Sequence, residues 1–158
     1  MNCDVTASGP SPPQPAGQAI VWEVVITEWA LDSYLNLKHA GTFTDQEYWN
    51  ELRPDVERLR GGAPSSDPKF LNGKFWGPAK VGNAVLHGGY KMKWHQLGPG
   101  KVQLRLPVMT GVRSASAAAF LCAAYVKSSD AVDRRKMGVF KSHMNQISLG
   151  QYAFRGSL

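Results

Sequence analysis

The first sustained hydrophobic signal along the chain is Ala19-Ile20-Val21-Trp22-Glu23-Val24-Val25-Ile26, a run rich in β-branched residues that reads as a strand. From 28 to 39 the period changes. Trp29, Leu31, Tyr34, Leu35 and Lys38 recur at helical spacing, and Gly41 is placed to end the helix. Thr44-Asp45-Gln46-Glu47 then sets a hydroxyl three residues ahead of a carboxylate, the spacing of a capping box. Tyr48, Leu52, Val56 and Leu59 carry one apolar stripe down to Gly61-Gly62, and Pro54 within it predicts a kink or a split into two helices.

Beyond Gly62 the pattern shortens, and Gly and Pro punctuate it. The segments 90–97 (YKMKWHQL) and 101–108 (KVQLRLPV) alternate as half-buried strands do, and Gly98-Pro99-Gly100 joins them as a hairpin turn would. Residues 120–126 (FLCAAYV) are continuously apolar, as in a central strand, and 83–87 reads as a further short strand. From 130 to 147 the period is helical again, with Ser129 or Asp130 as N-cap and Val132, Met137, Phe140, Met144 and Ile147 free to pack. The expected class is α+β: a strand and two helices, an antiparallel sheet of three to four strands, then a C-terminal helix.

Residues 1–18 are rich in Pro, Ser and Gly with almost no large apolar groups, so a flexible leader is expected there. A single domain over 19–150 and a tail over 151–158 complete the division. With 158 residues and 43% hydrophobic content, that domain can bury a core without metals or disulfides. Cys3 and Cys122 are poor candidates for a bridge, and a cytoplasmic, reduced protein is expected. No run of about 18 apolar residues and no secretory-signal pattern is present, so no membrane partner is expected.

Charge changes the picture most. The sixty-two residues from Pro68 to Ser129 contain no acid and nine bases, whereas 1–67 carry ten acids against four bases. A basic field without carboxylates concentrates polyanions, so RNA is the expected partner. Strand alternation puts Lys91, Lys93 and His95 on one face, with Tyr90, Met92 and Trp94 opposite and packed. Arg105 on the next strand, then Tyr125 and Lys127, can join that face if the strands are neighbours. The bland alternative is a solvated outer sheet face, but such faces mix lysine with glutamate to form cross-strand pairs.

A face of this kind suits a phosphodiester. Cleaving RNA needs a base for the 2′-OH, an acid for the leaving oxygen and cations for the phosphorane. His95 brings the side-chain type that titrates near neutrality, and a lysine crowded by others can also serve as base. Arg105 suits charge stabilisation. The expected catalytic set is Lys91, Lys93, His95, Arg105 and Lys127. Tyr125, His87, Lys101, Arg134 and Arg135 are expected to contact RNA. His39 and His143 fit helix-end and packing roles. Walker, HExxH, paired CxxC and G-x-S-x-G motifs are absent, so neither a metal nor a cofactor is expected.

The element order, with WEVVITEWALDSYLNL, TDQEYWNELRPDVERLRGG, KFLNGKFWGPAKV, GGYKMKWHQLG, KVQLRLPV and FLCAAYVKSSD, resembles the RelE/ParE/HigB superfamily of type II toxin–antitoxin toxins. The resemblance spans roughly 20–147 and lies in pattern rather than in a diagnostic motif. It implies a RelE-like fold and a small ribonuclease, often cutting mRNA in the ribosomal A site without metal and neutralised by a cognate antitoxin. By position it matches Lys91 and Lys93 to basic residues of the family's second strand, Arg105 to the third, and Tyr125 and Lys127 to the end of the fourth. The chain departs from the pattern in its leader, in 112–119, in its tail, and in carrying lysine where an arginine is common. Two further readings fit the residues: a ParE-like inhibitor of a protein target such as gyrase, and a non-toxic RNA-binding module.

Overall fold

A computed structural model describes residues 21–63 and 66–158; the expected leader and the opening residues Ala19 and Ile20 lie outside them. The chain forms β1 (Glu23–Thr27), α1 (Glu28–His39), α2 (Asp45–Glu47), α3 (Arg53–Glu57), β2 (Trp76–Val81), β3 (Ala84–Leu97), β4 (Val102–Arg113), β5 (Ser116–Leu121), β6 (Tyr125–Val126), α4 (Asp130–Ser148) and β7 (Phe154–Ser157). The class is α+β, but the sheet corrects the expectation of a RelE-like fold with three to four antiparallel strands. It has seven strands and is mixed, in the order β2-β3-β4-β5-β1-β7, with β6 paired to β4. β1 runs parallel to β5, Val25 beside Phe120, while the other pairings are antiparallel.

Three of these strands come from segments with weak periodic signals. β2 contains Gly77 and Pro78, and a proline without an N–H is tolerated at a sheet edge, which is where β2 lies. Residues 112–119, which departed from the toxin pattern, are the paired ends of β4 and β5. Arg113 faces Ser116 across a two-residue turn whose Ser114 and Ala115 both have positive φ, 52° and 63°. Such turns favour Asn-Gly. Ser114→Asn with Ala115→Gly is therefore expected to stabilise the fold by about 1 kcal/mol, read as a raised denaturation midpoint. Tail residues supply β7, which closes the other edge against β1.

Helices cover both faces. α1 to α3 pack over the face bearing Val24, Met92, Trp94, Leu104, Leu106, Val108 and Leu121. α4 packs over the other, where Met137, Phe140, Met144 and Ile147 meet Val25, Phe120 and Tyr125. Pro54 stands at the start of α3, and the stripe is divided just ahead of it. Tyr48–Leu52 widen into a π turn just before it, the Arg53 N–H bonding back to Tyr48, which makes room for a ring that an α turn would set against the preceding carbonyl.

Two carboxylates fasten this helical layer to the sheet. Glu47 completes the capping box with Thr44 and also accepts the Gly98 N–H at 3.0 Å, so the α2 start is tied to the β3–β4 turn. Buried Asp55 accepts the Trp94 indole N–H at 2.9 Å and the Lys69 ammonium at 2.6 Å, with Arg58 at 3.2 Å. The indole on the packed face of β3 is thus hydrogen-bonded as well as buried.

Candidate functional site

Register determines which cations meet. Lys93 pairs with Arg105 across β3 and β4, and Arg105 pairs with Tyr125 across β4 and β6, so the three lie in one row on the face that α4 covers. Lys91 is two residues along β3, on the same face, opposite Gly77 on one side and Pro107 on the other. Gly77 leaves the space that Lys93 uses: a Cβ there would stand 3.3 Å from the Lys93 Nζ. Lys93 also donates to the Gly73 carbonyl at 3.0 Å.

Arg105 is buried, with Nη1 donating to the Leu104 carbonyl at 3.2 Å and Nη2 donating to Gln103 at 2.8 Å. Its guanidinium is therefore held by the sheet rather than swinging in solvent. Burial lowers its pKa from the ordinary value, while Tyr125 and Asp133 oppose the shift; an arginine stays charged regardless. Lys93 is also lowered, first by burial and then by the Lys91, Arg105 and Lys127 charges around it. The Tyr125 hydroxyl is raised well above the usual phenol range by burial and by the neighbouring Asp133 carboxylate.

Asp133 is the residue that sequence reasoning missed. The acid-free stretch is not acid-free in space, because α4 sets Asp133 against its central cations, with Asp130 near Lys127. Lys91 Nζ lies 3.1 Å from Oδ2 and 3.4 Å from Oδ1 of Asp133, and the Tyr125 hydroxyl donates a short hydrogen bond to Oδ1. Burial pushes the Asp133 carboxyl up, but the bonds from Tyr125 and Lys91 outweigh it and leave the pKa lowered. A signal was present: Asp133, Met137, Phe140 and Met144 follow helical spacing on one stripe. An acid on the stripe that packs needs a partner beneath it.

The remaining candidates spread outward. Lys127 is half-buried beyond β6, its Nζ 3.7 Å from Asp130. His95 is exposed near the end of β3, and its Nε2 bonds the Lys74 carbonyl at 2.7 Å. Lys101 is in the β3–β4 turn, where its charge helps to lower Glu47, and so it faces the α2 end. His87 is exposed on the outer half of β3, and Arg134 and Arg135 are exposed on the first turns of α4. His143 stacks on Trp29 with ring centroids 3.9 Å apart.

The structure thus gathers Lys91, Lys93, Arg105 and Tyr125 around Asp133, with Lys127 close enough to affect Lys93 and Asp133. It leaves His87 and Lys101 along the strand ends. Chemically the cluster can hold an anion with two terminal oxygens and supply a lysine whose ammonium is weakened. Among the described residues, no helix is long and apolar enough to cross a membrane. No family model, curated protein or solved structure matches this chain.

Proposed function

We propose that the protein is an endoribonuclease that cuts single-stranded RNA by attack of the 2′-OH on the adjacent phosphorus, without a metal. The observation that carries this reading is the Lys93–Arg105–Tyr125 row, with Lys91 beside it, on one partly covered sheet face. Neutral Lys93 takes the 2′-OH proton. Arg105 and Lys127 offset the charge that develops on the non-bridging oxygens. The Lys91 ammonium protonates the departing 5′ oxygen, leaving a 2′,3′-cyclic phosphate and a 5′-hydroxyl. Exposed Arg134 and Arg135 extend the basic footprint along the strand of RNA, and His95 touches it at the rim. The sequence pattern further suggests a toxin of the RelE/HigB kind acting on mRNA in the cytoplasm, restrained by a small partner protein.

A base works unprotonated, so cleavage is expected to rise with pH and level off at the Lys93 pKa, which burial and its cationic neighbours hold below the ordinary 10.5. Single-turnover rates on a defined RNA, followed from neutral pH upward, read where this limb levels off. Lys93→Arg should remove that limb from the accessible range. A limb that stays unmoved in Lys93→Arg would take the base role away from this residue.

An RNA-binding module that does not cut is the second reading. It is favoured by His95, whose ring hydrogen-bonds the Lys74 carbonyl instead of facing an attacking hydroxyl. This reading expects salt-dependent RNA binding with intact RNA after long incubation.

A further inference from the structure

The Asp133 carboxylate fills the place with the best donors on this face. Lys91 reaches both of its oxygens, Tyr125 donates to one of them, and the side chains of Lys91 and Asp133 are only 15% and 18% exposed. Lys93 and Arg105 each feel its charge, and Asp133 in turn feels that of Lys127. A carboxylate and a phosphodiester share two features: one negative charge, and two terminal oxygens that accept hydrogen bonds. An arrangement that satisfies the first satisfies the second.

From this geometry we infer that the seat between Lys91 and Tyr125 is a phosphodiester subsite, and that Asp133 is a built-in occupant which an incoming RNA phosphate displaces. The inference rests on the ribonuclease reading for its choice of ligand, but not on cleavage. Displacement requires little of the fold. Asp133 sits in the first turn of α4, preceded by exposed Ser128 and Ser129, and Ser129 caps that turn through the Val132 N–H at 3.1 Å. The anchor of the helix is further along, at Met137, Phe140, Met144 and Ile147. Rotation of one side chain, or loosening of one turn, empties the seat without unpacking α4. Lys91 and Tyr125 then both face the phosphate, where Lys91 is also the proton donor of the proposed reaction.

The alternative for Asp133 is a positioning role, in which it holds Lys91 and Tyr125 ready and leaves the phosphate to bind elsewhere on the face. The two differ in sign. The probe is a single-stranded 2′-O-methyl RNA decamer, which binds but has no attacking hydroxyl, titrated against the full chain. As an occupant, Asp133→Asn should bind the decamer about tenfold more tightly than the unmodified protein. Asp133→Ser, smaller and also neutral, should move the same way, and thermal melts check that both variants fold. In the unmodified protein the Asp133 carboxyl carbon resonance should shift when the decamer is added, as its bonds to Lys91 and Tyr125 are lost. Equal or weaker binding by the folded variants, or a carboxyl resonance unmoved at saturation, overturns the inference. Cleavage of 2′-hydroxyl RNA is followed separately. Tighter binding by Asp133→Asn with no cutting by any form sinks the nuclease reading alone, and cutting without tighter binding sinks the subsite alone.

Discussion

Replacing Arg105 with methionine is expected to slow RNA cleavage by about 10²–10³-fold while leaving the protein folded. The loss is large because the guanidinium is fixed before substrate arrives. Its Nη1 and Nη2 are held by the Leu104 carbonyl and by Gln103, and its stem is buried in the sheet between Lys93 and Tyr125. A donor fixed in this way gives up no freedom when charge grows on the phosphorane, so its removal is felt mainly in the transition state. Methionine keeps most of the apolar stem, and exchanging a buried cation for an apolar side chain is often neutral for stability. Arg105→Lys keeps the charge but not the fork, and should fall between the two. Single-turnover rates, with a melt for each variant, check all three forms.

The largest effect on stability is expected at the opposite face. Asp55→Ala should cost about 3 kcal/mol. Three groups depend on this carboxylate: the buried Trp94 indole N–H, Lys69 from the turn at Pro68–Leu71, and Arg58 at the end of α3. The lysine and arginine are more than a third exposed and regain water, so their share is small. The indole N–H is buried without another partner and carries most of the loss. Asp55→Asn separates these contributions, since its amide oxygen can still accept from Trp94 while the ion pairs vanish. It should cost about 1 kcal/mol. Denaturant unfolding with a common m-value reads both, and equal losses in the two variants would mean that the ion pairs, not the indole, carry the stability at Asp55.

What was legible in the chain followed local periodicity. The alternation of Tyr90-Lys91-Met92-Lys93-Trp94 assigned each side chain its face, and Thr44 with Glu47 marked a helix start that forms the full capping box. The sheet's extent was not legible, because its extra strands break the local rules. Pro78 disguises β2 and is tolerated because, among the described residues, β2 is an edge strand. Ser114-Ala115 lacks the residues that announce a two-residue hairpin, so the ends of β4 and β5 read as an insertion. β7, Phe-Arg-Gly-Ser, is too short to show an alternation, and its one large apolar side chain, Phe154, is exposed. The parallel partnership of β1 with β5 joins residues almost a hundred positions apart, and periodicity carries no information about partners.

The site divides along the same line. Lys91, Lys93, Arg105 and Tyr125 could be placed on one face from alternation and a guess at neighbouring strands. The carboxylate at their centre comes from a helix whose docking no strand pattern encodes. Charge counted along a chain thus located the region correctly as basic and misjudged its centre, which is a paired anion.

The most direct test of the central claim is incubation of a defined single-stranded RNA with purified protein in EDTA, beside the same RNA bearing 2′-deoxy sugars. The account predicts that the ribose strand alone is cut, that the products end in 2′,3′-cyclic phosphate and 5′-hydroxyl, and that Arg105→Met and Lys93→Arg leave it nearly intact. An unmodified protein that binds the RNA and never cuts it, or variants that cut as fast as the parent, would contradict the account.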